Sequence, residues 1–386
     1  MSPIAPTPKH ARTPRPVRTA MRAALIALLS AGTAACLDEK PAPPSPEQVR
    51  ARIVKLLPVA IPDRAGWATD IYAAFAALEI EPSKENVCAA LAVTEQESTF
   101  NPDPPVPGLG RIAVAEIEQR AARLGVPKLV VRGALKLDSP DGRTWEQRLS
   151  SARTERELSE MFEELVDAVP LGRRMLGNSN PVRTGGPMQV SIAFAEAHAR
   201  DRAYPYTPDG SIRREVFTRR GGMYFGIAHL LGYPASYERM IHRFADFNAG
   251  WYASRNAAFQ DALSEISGIP LDLDGDLIVH GSDAVGATET AARAIADRLQ
   301  MSHGAIRRAL ERANSQRFER TELYERVFEL ADAMKGRPMP RAHVPHIRLH
   351  SPKITRRLTT EWFATRVDTR YRRCLARAKP LWGEAT

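Results

Sequence analysis

The chain has 386 residues, of which 44 % are hydrophobic and 26 % charged, as in a soluble globular protein of one large or two ordinary domains. Its net charge of +9 comes from its ends, because residues 1–35 contribute +5 and residues 335–386 contribute +10. The pattern fits no nucleic-acid-binding module and the cysteines and histidines have no zinc-type spacing, so we expect no nucleic-acid partner, no metal and no cofactor.

Residues 1–35 form a predicted export signal. Met21-Arg22 is followed by a short apolar segment and then by small residues up to Cys36. The apolar segment is too short to span a membrane permanently. Residues 1–20 are rich in proline and arginine and fit no signal, so we favour Met21 as the start of the chain.

Thr33-Ala34-Ala35-Cys36 resembles a bacterial lipobox. The resemblance implies that Cys36 is acylated, with palmitate among its lipids, and becomes the first residue of a lipoprotein. Leu37 stands where Asp would signal inner-membrane retention, so we expect an anchor at the periplasmic face of the outer membrane. Alternatively, an ordinary signal peptide is cut near Ala35. Residues 36–47 are rich in proline and predict an extended linker.

Hydrophobic periodicity predicts a mostly α fold. Helices are expected over residues 47–60, 64–79 and 86–102, then through most of residues 112–176. Residues 177–187 are a loop, and helical patterns resume over 188–200, 221–232, 235–246 and 251–266. Residues 267–285 are a strand or irregular. Further helices fit 286–300, 303–315, 320–335 and 359–378, with an extended segment over 338–352.

Glu97 is the candidate general acid. It follows the apolar run Val87–Val93 and precedes the helix-ending pair Asn101-Pro102, which predicts a carboxylate at the end of a buried helix. Burial and the negative end of the helix dipole disfavour its charged form, so we expect a raised pKa. Alternatively, Glu95 and Glu97 are ordinary solvated residues. Glu95 lies about 200° around the helix from Glu97, so both cannot face one cleft.

Cys88 and Cys374 remain once Cys36 is assigned to lipid. They could form a disulfide in an oxidising periplasm. Alternatively, Cys88 is a small buried apolar residue and Cys374 is a free thiol.

Three short motifs occur at predicted helix ends. Motif 1 is Glu-Ser-Thr-Phe-Asn-Pro at residues 97–102, motif 2 is Gly-Pro-Met-Gln-Val at 186–190, and motif 3 is Phe-Asn-Ala-Gly at 247–250. In this order they resemble the lytic transglycosylases of the goose-lysozyme-like group. The chain departs from that family by about eighty residues between motifs 1 and 2. It also has Pro187 for the usual Leu and Phe247 for the usual Tyr.

The resemblance implies a lysozyme-like α domain over residues 48–266, with a large helical insertion at 103–185. Residues 267–386 would be a helical C-terminal extension with a basic tail. It also implies that Glu97 cleaves peptidoglycan glycan strands, acting as acid and then as base to form a 1,6-anhydro product. The implied substrate-binding residues are Ser98, Met188, Gln189, Phe247 and Asn248.

Two alternatives stay open. A muramidase would need a second carboxylate, for which Asp246 or Asp103 is the candidate. A non-catalytic peptidoglycan-binding or envelope scaffold lipoprotein would keep the cleft without the activity, and the long insertion and Phe247 motivate that hypothesis.

Overall fold

The computed structural model describes residues 44–123, 125–168, 180–349 and 357–383. The predicted export signal, Cys36 and most of the predicted linker lie outside them. Within them the protein is mostly α-helical, as predicted, and none of the helices is both long and apolar enough to cross a bilayer.

The first seven helices are α1 (Pro46–Leu56), α2 (Arg64–Ala77), α3 (Lys84–Glu97), α4 (Leu109–Arg123), α5 (Lys128–Leu135), α6 (Trp145–Ser151) and α7 (Glu155–Ala168). A two-stranded antiparallel sheet follows, formed by β1 (Thr184–Gly185) and β2 (Val190–Ser191). The next five helices are α8 (Ile192–Asp201), α9 (Ile212–Val216), α10 (Arg219–Leu231), α11 (Met240–Ala249) and α12 (Ala253–Ser267). The last five are α13 (Ala287–Ala294), α14 (Ala296–Leu299), α15 (His303–Leu310), α16 (Glu322–Lys335) and α17 (Thr360–Ala378). Two 3-10 helices span Gln316–Arg320 and Lys379–Trp382.

Helix α3 runs through the first hydrophobic core. Every residue from Val87 to Thr94 is buried, which explains why this segment has no polar face. Ser83 caps the helix by accepting a hydrogen bond from the amide of Asn86 at 3.2 Å. Helices α10 and α17 both pack against α3, so α3 needs apolar side chains on all of its faces.

Helix α3 ends at Glu97, earlier than the Asn101-Pro102 pair predicts. Thr99 and Phe100 adopt left-handed backbone conformations, with φ of 53° and 60°. Such conformations cost on the order of 1–3 kcal/mol for residues other than glycine. Phe100 is buried, and its ring packs edge-on against Trp67 with centroids 5.5 Å apart. This tertiary contact stabilises the early helix end.

Helix α10 is, with α3, the other central helix of the first hydrophobic core. It packs against α2, α3 and α11. The guanidinium of Arg219 in its first turn donates to Asp63 at 2.7 Å and to Asp70 at 2.5 Å, which ties α10 to α2. The helix is buried along most of its length, as its Gly-Gly-Met-Tyr-Phe-Gly sequence at residues 221–226 indicates.

Helix α17 returns to the first core from the far end of the chain. It packs against both α3 and α11. A disulfide joins Cys88 of α3 to Cys374 of α17, with Cα atoms 5.5 Å apart and a sequence separation of 286 residues. Arg370 and Arg373 each lie 3.5 Å from a carboxylate oxygen of Glu95. These contacts give Glu95 a structural partner on the side of α3 that faces α17.

The predicted C-terminal extension contributes to two cores. The second half of α12 and helices α13 to α16 bury a separate apolar cluster that includes Phe259, Leu299, Phe318 and Phe328. Helix α17 instead completes the first core. The segment 267–285 contains no strand and runs as irregular chain between α12 and α13.

The predicted insertion is helical, and α4 to α7 make most of their contacts with one another. Ion pairs attach α7 to the rest of the protein. Arg156 lies 3.1 Å from Asp103 in the loop after α3, and Arg214 of α9 lies 3.2 Å from Glu163. Helices α4 to α7 therefore form a lobe, and one of its ion pairs, Arg156–Asp103, lies next to motif 1.

Candidate active site

Helix α3, which leads into motif 1, and the turn that carries motif 2 both contact helix α10. The hydroxyl of Thr94, one turn before Glu97, lies 3.6 Å from the sulfur of Met223. One turn further along α10, Gly226 leaves room for Met188, because a Cβ on this glycine would lie 2.4 Å from the Met188 sulfur. Glycine is needed here for close approach of motif 2 to the helix.

Motif 3 meets the same helix. The ring nitrogen Nε2 of His229 lies 3.2 Å from the carbonyl oxygen of Phe247. Met223, Gly226 and His229 occupy successive turns, which places the three contacts within about 9 Å of helix length. Helix α10 thus contacts motifs 2 and 3 and the helix that leads into motif 1.

Ser98 links motif 1 directly to motif 2. Its hydroxyl lies 2.8 Å from the carbonyl oxygen of Pro187, to which it donates, and 3.2 Å from the carbonyl oxygen of Thr94. The half-buried Glu97 precedes Ser98 as the last residue of α3. The candidate acid therefore lies beside the loop that carries Gln189.

Gln189 points away from the core. Its backbone is left-handed, with φ of 49°, while its neighbours Met188 and Val190 are buried. Its half-exposed side chain lies near the hydroxyl of Thr184 at 3.2 Å and the carbonyl oxygen of Gly186 at 3.4 Å. The half-exposed amide is thus held against its own hairpin by these two hydrogen bonds.

Met188 corrects the prediction of a substrate contact. Its side chain is fully buried against Gly226 and cannot offer a surface to a ligand. Its role is packing, since an unbranched side chain fills the irregular space beside two glycine-containing turns of α10.

Phe247 and Asn248 lie at the end of α11. The ring of Phe247 is half-buried, with its centroid 5.0 Å from that of His229. Asn248 is exposed, and its side-chain oxygen accepts a hydrogen bond from the buried Thr360 hydroxyl at 3.3 Å. Motif 3 is therefore held by α10 on one side and by the first turn of α17 on the other.

An aromatic cluster that the sequence analysis did not identify surrounds motif 3. The ring centroid of His229 lies 4.6 Å from that of Phe194 and 6.0 Å from that of Trp251. The indole Nε1 of Trp251 donates to the carbonyl oxygen of His229 at 2.7 Å. The position of Trp251 directly after Gly250 is the one sequence signal that could have identified it.

Left-handed backbone conformations are concentrated at the motifs. Seven residues other than glycine have positive φ within the described ranges. Four of them, Thr99, Phe100, Gln189 and Tyr252, lie in or just after the three motifs. Strained backbone of this kind persists where the surrounding structure fixes it, and it is frequent at functional sites.

The two other candidate carboxylates, Asp246 and Asp103, are each bound by groups of the protein. Asp246 is fully buried and accepts hydrogen bonds from the Tyr233 and Tyr237 hydroxyls at 2.9 and 2.6 Å. It also accepts from the backbone amide of Ser254 at 2.7 Å, so this candidate second carboxylate of a muramidase is an internal group. Burial raises the pKa of Asp246 against the effect of these donors. Asp103 is half-buried and committed to Arg156, and burial raises its pKa also.

Burial lowers the pKa of His229 to about 4, since a charged ring would lose hydration there. Its Nδ1 is buried without a partner while Nε2 faces the Phe247 carbonyl. From pH 6.5 down to about 4 the unfolded chain binds a proton that the folded protein does not, so stability falls as pH falls. We expect His229→Phe to reduce the loss of unfolding free energy between pH 7 and pH 4.5 by about 1–3 kcal/mol. Urea unfolding of both proteins at each pH measures the difference. An equal change in unfolding free energy between the two pH values in both proteins would contradict the prediction.

Gly226→Ala tests the packing of motif 2. The new methyl group would overlap Met188, so we expect a loss of about 1–3 kcal/mol in the free energy of unfolding and a displaced Gln189. Gly133→Ala is the matched control, because a Cβ at Gly133 in α5 meets nothing within 4 Å. That substitution should stabilise helix α5 by about 0.5–1 kcal/mol. Equal effects of the two substitutions on thermal unfolding would refute the packing argument.

Comparison with known proteins gives the chain a family. Residues 60–377 match the family described as "Protein of unknown function (DUF1615)". The chain is also 54 % identical over 319 residues to a protein of Escherichia coli (strain K12) described as "Uncharacterized protein YaiW", covering 83 % of this chain and 87 % of the relative. No solved structure matches the chain. A match over this share of the chain is sufficient for assignment, and the protein belongs to the DUF1615 family.

Proposed function

We propose that this protein is a lytic transglycosylase that cleaves peptidoglycan glycan strands. The observation that carries the proposal is that α3 and motifs 2 and 3 all contact α10, with Ser98 of motif 1 hydrogen-bonded to the Pro187 carbonyl of motif 2. This arrangement brings the end of α3, with Glu97, next to the turn that presents Gln189. A lysozyme-like domain remains part of the proposal.

The reaction needs one carboxyl group. Glu97 donates a proton to the oxygen that links N-acetylmuramic acid to N-acetylglucosamine, and the bond from C1 to that oxygen breaks. Glu97, now a carboxylate, accepts the proton of the C6 hydroxyl as O6 bonds to C1. The product is a 1,6-anhydro sugar and no water is consumed. Glu97 ends the cycle protonated, as it began.

The neighbouring side chains would bind and orient the strand. Gln189 can donate and accept hydrogen bonds at once, which suits hydroxyl and acetamido groups. Asn248 is exposed and has the same capacity. Ser98 positions the end of α3 through Pro187, and Phe247 offers a partly exposed ring. The buried position of Asp246 favours this single-carboxylate route over a muramidase.

The test is product analysis. Purified protein is incubated with sacculi and the soluble fragments are analysed by mass spectrometry. Anhydro-muropeptides support the proposal. Fragments with reducing ends, heavier by one water, would make the protein a hydrolase. Binding to sacculi without any released fragment would favour the non-catalytic binding lipoprotein.

We also propose that Cys36 anchors the protein by lipid to the periplasmic face of the outer membrane. The supporting observation is the sequence Thr33-Ala34-Ala35-Cys36 after an apolar segment. Cys36→Ser should move the protein from the membrane fraction to the soluble periplasmic fraction and abolish labelling by palmitate. A protein that keeps its Cys36 thiol unmodified after export would overturn this assignment.

A further inference from the structure

A group of basic side chains lies where the C-terminal ends of α1 and α17 meet. We call the set Arg52, Lys55, Arg377 and Lys379 the basic corner. The guanidinium of Arg377 donates to the carbonyl oxygens of Lys55 and Leu56 at 3.0 and 2.9 Å, which joins the two helix ends. The guanidinium of Arg52 lies 5.1 Å from the ring of Trp382 just beyond α17.

The cations of the basic corner have no acidic partner among residues 44–123, 125–168, 180–349 and 357–383. The arginines one or two turns earlier in α17 differ, since Arg370 and Arg373 pair with Glu95. Arg372 pairs with Asp368 at 2.7 Å. Arg370, Arg372 and Arg373 therefore each have an acidic partner, whereas Arg377 in the last turn of α17 has none among the described residues.

Apolar side chains accompany these charges. Trp382 and Leu381 follow α17 and are half-buried. Val59, three residues past the end of α1, is 85 % exposed. Tryptophan beside arginine and lysine is the combination favoured at a membrane–water interface, where the ring enters the headgroup layer and the cations meet phosphate. A hydrated polyanion would make no use of the apolar groups.

We infer that the basic corner is a docking surface for an anionic lipid bilayer. The inference goes beyond the proposed function and does not depend on acylation of Cys36. If Cys36 is acylated, the lipid and the basic corner act together, because only nine residues separate Cys36 from the start of α1 at Pro46. Docking would then fix the orientation of the protein, which a lipid attached at one residue does not do by itself.

The test uses the chain from Leu37 onward, which lacks the export signal and the lipid but contains both hydrophobic cores. Co-sedimentation is measured with vesicles of phosphatidylcholine alone and with vesicles containing one third phosphatidylglycerol. We expect binding to the anionic vesicles only, and its loss at 0.5 M salt, since exposed charges are screened over about 10 Å at 0.1 M. Equal binding to both vesicles would overturn the inference.

The decisive variant is Arg52→Gln, Lys55→Gln and Lys379→Gln together, which leaves the Arg377 hydrogen bonds intact. Each cation near an anionic surface contributes about fivefold to binding, so we expect a loss of about 100-fold. The control replaces the exposed Arg312, Arg317 and Arg320 with Gln and removes the same net charge. Equal losses in both variants would show non-specific attraction and overturn the inference. Retention of the wild type by sacculi but not by anionic vesicles would assign the surface to the cell wall instead.

Discussion

Glu97→Gln should reduce the release of anhydro-muropeptides from sacculi by about 10²–10⁴-fold, the usual contribution of a general acid or base. The amide keeps the size and hydrogen-bonding capacity of the side chain but has no acidic proton. It can neither protonate the leaving oxygen nor accept the proton of the C6 hydroxyl. Fragment release over time, followed by chromatography and mass spectrometry, measures the effect.

Glu95→Gln is the matched control, since it makes the same change two residues away in the same helix. Glu95 faces Arg370 and Arg373 of α17 rather than motif 2. Its loss should change the rate by less than about threefold, because exposed ion pairs contribute little. Both variants should keep the circular dichroism spectrum of the wild type. If Glu97→Gln releases fragments at the wild-type rate, the proposed mechanism is wrong. Equal losses in both variants would indicate a structural effect on α3.

Cys374→Ser should lower the free energy of unfolding by about 2–5 kcal/mol. The disulfide closes a loop of most of the chain, with a sequence separation of 286 residues, so its removal gives the unfolded chain more conformational freedom. The substitution also places a polar serine hydroxyl at a position that is only 9 % exposed. Guanidinium unfolding monitored by circular dichroism measures the loss.

A reducing agent separates the disulfide from local packing. Dithiothreitol should destabilise the wild type to nearly the level of Cys374→Ser and have no effect on the variant. Cys36→Ser, which leaves the disulfide in place, should match the wild type. Titration that finds two free thiols in the unreduced, folded chain from Leu37 onward would refute the bond. If the bond is present but its loss leaves stability unchanged, the ion pairs of Glu95 and the apolar contacts suffice to hold α17 on α3.

The sequence predicted the local features well. The all-apolar run Val87–Val93 indicated a buried helix, because a segment without a polar face can only be covered on every side. The helices around residues 64–79, 320–335 and 359–378 were visible from periodicity, and α2, α16 and α17 agree within a few residues. The short sheet at Thr184–Ser191 was not predicted, because two-residue strands are too short to show an alternating pattern.

Helix ends were harder to predict than helices. The predicted helix over residues 235–246 begins only at Met240. Helix α3 stops at Glu97 because Thr99 and Phe100 take left-handed conformations that only the packing of Phe100 on Trp67 makes favourable. No local propensity encodes that contact.

In the candidate site too, some features are visible in the sequence and others depend on tertiary structure. The sequence by itself determined the three motifs, the buried helix that precedes Glu97 and the concentration of positive charge at the C-terminus. Tertiary structure decided that Asp246 and Met188 are internal, that His229 and Trp251 surround motif 3, and that Cys374 lies against α3. The reason is that each of these outcomes depends on which helix covers which face. Here α10 and α17 cover the faces of α3. The residues through which they contact α3 are more than one hundred positions away from it in sequence.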